Sequence, residues 1–164
     1  MEVVSVEDIT EAFKFVLNGQ HEFTDTDRDT AQKQVRQIIE DRIYTGRRPQ
    51  GVDKPWISLS YGDVQREYTL AGEYDSTQST VDVEIHSPNR RLTLLAWQGV
   101  RQALTSFKGS IQVRQSTITI GGCTVESESE TLPDEPQDGS SDFDFVYLGQ
   151  FRVTHTINSP TGLN

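Results

Sequence analysis

The chain of 164 residues has one cysteine, one methionine and no long apolar run. With Cys123 alone, no internal disulfide can form, and a reducing compartment is the natural setting. No stretch approaches the roughly 18 consecutive apolar residues that a membrane span needs. The opening MEVVSVEDIT lacks the basic and apolar parts of a secretory signal, so a soluble, cytoplasmic product is expected. Positive charge is scarce as well. Fifteen Lys and Arg stand against 25 Asp and Glu, leaving a net charge of −10. Sequence-independent binding to a phosphate backbone needs clustered Lys and Arg, and no cluster of that size is present. There is no H-E-x-x-H, no G-x-S-x-G and no Cys–His pattern. The apolar fraction of 34% is low for a globular chain, so part of a single domain, 1–164, is expected to lie outside its core.

What is present reads as an α+β fold, an antiparallel sheet of about four strands with helices packed on one face. Residues 5–18 carry an apolar stripe of Ile9, Ala12, Phe13, Val16 and Leu17, with Ser5 as cap and Gly19 as stop. A second helix is expected from Asp27 to Arg42, capped by Thr26 or Asp27. The stretch 56–62 alternates as a strand, followed by a second strand or long hairpin arm at 65–70 and a third strand at 78–86. Ser87 and Pro88 predict the cap and first position of a helix, which runs through Leu92, Ala96, Val100 and Leu104 to stop at Gly109. Residues 110–123 alternate in two registers, Ile111/Val113 and then Ile118/Ile120, implying a bulge or break near Gln115. Gly121–Gly122 reads as a tight turn. From Thr124 to Asp142 there are seven acidic residues and no basic one, which predicts an acidic, mobile loop. A last strand over 143–157 precedes a frayed tail, 158–164.

One stretch has the residue types of an active site. In VDVEIHS (81–87), a strand would line Asp82, Glu84 and His86 on one side and Val81, Val83 and Ile85 on the other. Two carboxylates and an imidazole suit a metal-dependent hydrolase. A half-buried antiparallel strand has a polar face by construction, however, and neither of the other histidines, His21 and His155, is near in sequence. The bland reading weighs more: no catalytic residue, no metal and no cofactor is expected. Arg90 and Arg91 are more informative, because the helix macrodipole disfavours cations in a first turn. They pair with the protein's own acidic surface or with carboxylates of a neighbouring copy, for which Asp82 and Glu84 are the candidates.

The segments DRIYTGRRPQGVDKPWISL (41–59), YTLAGEYDSTQSTVDVEIHSPN (68–89) and LAWQGVRQAL (95–104) resemble, in order and spacing, the phage tail-completion or tail-terminator family. The resemblance implies a small α+β structural protein of the virion tail, assembled in the host cytoplasm, and no catalysis. It implies a homo-oligomeric ring, typically hexameric, that caps the tail tube and joins it to the head. The partners would be further copies, tail-tube protein and a head-completion or connector protein, with DNA passing through unread. A head-closure or minor tail protein of similar fold is the alternative. The loop carboxylates Glu126, Glu128, Glu130, Asp134, Glu135, Asp138 and Asp142 would then line the lumen or touch the tube.

Overall fold

The computed structural model describes residues 7–46, 51, 53–68, 74–131, 133 and 144–158. Helices α1 (Glu7–Leu17) and α2 (Thr26–Ile39) come first, then strands β1 (Ile43–Thr45), β2 (Trp56–Tyr68) and β3 (Tyr74–Ser87). Helix α3 (Arg90–Leu104) precedes β4 (Gly109–Val113), β5 (Ser116–Thr131) and β6 (Phe145–Asn158). The strands form one six-stranded sheet in the order β1-β2-β3-β6-β5-β4. The expected sheet of four antiparallel strands is therefore too small and too regular. β1 runs parallel to β2, and the antiparallel hairpin β4–β5 occupies the far edge.

Two-residue periodicity builds the centre. Ile57, Leu59, Val81, Val83, Ile85, Phe151 and Val153 all point to one face and are buried. Helix α1 packs on that face and touches β1 and β2 near one edge as well as β4 and β5 at the other, so the sheet curls around it. Phe13 of α1 is fully buried and meets Phe151 edge-on, with ring centroids 6.1 Å apart. Helix α3 lies beside α1 on the same face, over β3 and β6, and α2 packs across α3. The α2–α3 crossing is close: a Cβ on Gly99 would stand 2.8 Å from Val35 Cγ2.

The helix starts differ from expectation by a residue or two. Asp25, not Thr26 or Asp27, caps α2, accepting from Asp27 N at 2.9 Å. Asn89, not Ser87, caps α3, because its Oδ1 accepts the orphan Arg91 N–H at 2.8 Å. Pro88 sits before the cap, and Phe107 reaches the core from beyond the helix end at Leu104. The proposed cap Ser5 lies outside the described residues.

Strand β5 explains the shifting parity. A two-residue turn, Arg114–Gln115, joins it to β4, so odd-numbered Ile111 faces even-numbered Ile118. The register change near Gln115 is thus a hairpin. Gly121 is not in a turn; it is the extra residue of a bulge, and Glu126 is the extra residue of a second bulge. Each bulge moves the inward face by one. The inward set runs Ile118 and Ile120, then Cys123 and Val125, then Glu128 and Glu130. The acidic segment expected as a loop from Thr124 is strand as far as Thr131.

The seat of α3 generates a first prediction. A Cβ on Gly149 would stand 2.1 Å from Cη2 of Trp97, whose ring lies flat on this part of β6. Gly149→Ala should destabilise by roughly 1–3 kcal/mol or more, as overpacking a rigid ring does. The penalty should shrink in a Trp97→Leu background, measured by urea unfolding of the four chains of the cycle.

A second prediction concerns acid. Burial pushes His155 down from 6.5 to about 4, while its Nε2 stays within 2.8 Å of Ser79 Oγ. Below pH 6.5 the unfolded chain takes a proton that the folded chain refuses until about pH 4, so stability falls across that window. Between pH 7.5 and 4.5 the wild type should lose about 2–3 kcal/mol more than His155→Asn, a difference that cancels the shared carboxylates.

Candidate functional site

The sheet brings the three candidate side chains of β3 to its helix-free face, in rows read across the strands. Ser58, Glu84, Leu148 and Ser129 form one row, and Ser60, Asp82, Gln150 and Ser127 the next. Trp56, His86, Val146 and Thr131 form the third. The alternation expected of VDVEIHS is present, with Val81, Val83 and Ile85 buried beneath.

Two of the three polar groups, Glu84 and His86, engage each other, and Asp82 is held apart from them. Asp82 Oδ1 accepts from Gln150 Nε2 at 2.8 Å. His86 is buried, with its ring stacked on Trp56 at a centroid distance of 3.9 Å. Its Nε2 lies 2.5 Å from Glu84 Oε1 and its Nδ1 2.9 Å from Asp144 Oδ2. Lys54 Nζ reaches the other oxygen of Asp144 at 3.2 Å. Both ring nitrogens therefore face carboxylate oxygens, and no lone pair of the imidazole points to open space. A metal ligand or general base needs a free nitrogen. This arrangement ties the start of β6 to the end of β3 instead. Among the described residues no group of three or more His, Cys, Asp or Glu is placed to hold a metal ion. The lone thiol of Cys123 is buried and pushed up to about 12 by that burial, which leaves it a packing group.

The paired arginines part company. Arg90 lies at the start of α3 and forms a two-pronged ion pair with Glu130 of the same chain, Nε–Oε1 2.5 Å and Nη2–Oε2 3.1 Å. Glu130 is on the helix side of β5 because of the second bulge, opposite Tyr147. Two turns further, Trp97 Nε1 donates to Glu128 at 3.1 Å. Two carboxylates assigned to a loop are thus strand groups that receive α3. Glu126, the third, pairs with Arg152. Asp134, Glu135, Asp138 and Asp142 lie outside the described residues. Arg91 stays exposed and forms no ion pair with a described residue.

The roles of Asp144, Trp56, Gln150 and Trp97 in these contacts were not read from the sequence. Asp144 is 58 positions from His86, and only the β3–β6 register brings the two together.

A family model described as tail completion protein gp17 matches residues 27–147, from the start of α2 into β6. The chain belongs to that family. It is thereby a structural tail protein of a phage-like virion, and the resemblance of 41–104 to tail-completion proteins holds. Among curated proteins nothing matches. Among solved structures the fold is similar to a chain from the virion of a native gene transfer agent (GTA) particle. The TM-score is 0.61 at 11% identity, over 90% of this chain and 95% of that one. The described elements from α2 to β5 of the tail completion chain fall within the matched segment, which leaves out α1 and most of β6.

The Arg90–Glu130 pair can be read by titration. Its hydrogen bonds, and then the charge of Arg90, hold the Glu130 carboxyl below the usual range. Arg90→Ala should raise the Glu130 midpoint toward the ordinary carboxylate value in an NMR titration.

Proposed function

We propose that the chain is a tail terminator: copies form a closed ring, hexameric by family resemblance, that caps the tail tube and presents a surface to the head. The observation that carries this reading is the family match across 27–147. The likeness in fold to a chain of a gene transfer agent virion agrees with it.

The charge supports the same reading. A junction through which DNA moves must not hold the phosphate backbone, and a net charge of −10 per copy repels it. In this reading the acidic residues 134–142 are the tube-contact or lumen segment. The strand before them, β5, ends at Thr131, and the strand after them, β6, begins at Phe145. Tail-tube protein on one side and a head-completion or connector protein on the other are the partners. Assembly takes place in the bacterial host cytoplasm.

Native mass measurement of the chain, alone and mixed with tail-tube protein, tests the proposal. A closed oligomer that binds tube ends and stops their growth is the expected result. A chain that leaves tube length unchanged but binds the head connector is a head-closure protein instead. Replacing residues 134–141 with a short turn should leave the ring intact and weaken capping or DNA passage.

A further inference from the structure

Helix α3 has an outer strip that no other described element covers. Arg91, Leu94, Gln98 and Arg101 are exposed along it, while Thr93, Ala96, Trp97 and Val100 point inward. The helix contains three arginines and no carboxylate, in a chain with ten more acidic than basic residues. Arg90 is taken by Glu130, and neither Arg91 nor Arg101 forms an ion pair with a described residue. Leu94 is 36% exposed, one of three large apolar side chains so open among those described.

The sheet has the complementary surface. No described helix packs on the face that holds Asp82, Glu84 and Leu148. At its β2 end Trp56 and Ser58 are buried, but toward β5 it opens: Leu148 is 39% exposed, between Glu84 and the exposed Ser129. Asp82 lies in the next row beside Gln150. A leucine stands there among small hydroxyl side chains and carboxylates. The helix strip sets a leucine among arginines.

We infer that these two faces meet between neighbouring copies: the α3 strip of one docks on the open sheet face of the next, Leu94 toward Leu148 and Arg91 toward Asp82 and Glu84. The inference rests on the ring reading, and it specifies the contact. The two patches lie on opposite faces of the same sheet layer, helices on one side and open strands on the other. A contact between them is heterologous, so it forms no two-fold dimer; it closes a ring where the rotation from copy to copy closes, as the ring reading requires, and grows an open filament where it does not. A helix laid on a bare sheet face is also how layers of secondary structure bury one another within a domain. Charge sets the pairing. Two copies meeting strip to strip would oppose arginines, and two meeting sheet to sheet would oppose carboxylates.

The test uses one blocking variant on each face, Leu94→Asp and Leu148→Asp, both at exposed positions, with folding checked by circular dichroism. Each variant alone should weaken self-association about tenfold or more, as loss of a central contact does, and should no longer close rings. Mixed together, they retain one intact strip and one intact sheet face, and should form a one-to-one pair that does not grow. Sedimentation at low salt reads all three states, and raising the salt should weaken the wild-type assembly. If the wild type forms rings and both variants form them equally well, this contact is wrong while the ring reading stands. If Leu94→Asp abolishes assembly and mixing restores no pair, the contact is two-fold and the inference fails. A wild type that stays monomeric at high concentration, with and without tube protein, overturns both.

Discussion

The closeness of α3 to the sheet depends on an absent side chain. Gly149 leaves a flat place on β6, and the Trp97 ring fills it, stacked on Tyr147 at a centroid distance of 5.2 Å. Any larger residue at 149 would lift the helix by the width of a methyl group or more. With the helix down, Trp97 Nε1 finds Glu128 and Arg90 finds Glu130. A second side of the helix, away from its exposed strip, then receives α2, where Gly99 removes a second Cβ beneath Val35 and Ala31. Gln34 Nε2 bonds the Leu95 carbonyl at 2.7 Å, and an Arg28 guanidinium nitrogen bonds that of Ala103 at 3.0 Å. Two glycines, one on each side of one helix, set the spacing of three layers.

The cations at the start of α3 follow from that spacing. A first-turn arginine opposes the helix dipole by roughly 0.3–1 kcal/mol, an amount that a carboxylate opposite can offset. The chain supplies Glu130 because the second bulge of β5 restores the parity that the first one reverses. Without the bulge at Glu126, Glu128 and Glu130 would point to the helix-free face, and Arg90 and Trp97 would lose their partners. The second bulge is therefore coupled to the helix start, although about 40 residues separate them in sequence.

Much of the fold was legible for simple reasons. The stripes of α1 and α3 repeat at helical spacing, and Val81, Val83 and Ile85 alternate without interruption, so local pattern and burial agree. β5 misled for an equally physical reason. Its alternation is broken twice, and its outer half is strongly acidic, so Glu126–Thr131 resembles solvated loop while being paired with β6. β1 is three residues long, too short for any periodicity to mark. The cap of α3 was misplaced because Ser87 and Asn89 both have capping side chains. Ser87 Oγ is occupied instead by a turn, accepting from Asn89 N at 3.1 Å.

The Asp82–Glu84–His86 face shows why residue type and spacing are weaker evidence for chemistry than for structure. Strand alternation predicted correctly that the three share a face, and that is all it could predict. Catalysis or metal binding would further require lone pairs converging on one empty point. Here Glu84 and Asp144 take the two ring nitrogens, Trp56 covers the ring, and Gln150 holds Asp82. Glu84 is a neighbour of His86 on β3 itself, but Trp56, Gln150 and Asp144 arrive from β2, β6 and the start of β6, at separations that no local pattern encodes. The same long-range pairing that closes the imidazole leaves Leu148 open two strands from β2, on a face no described helix covers. In a tail completion protein, a surface shaped by strand register and left bare is better suited to receiving another chain than to holding a substrate.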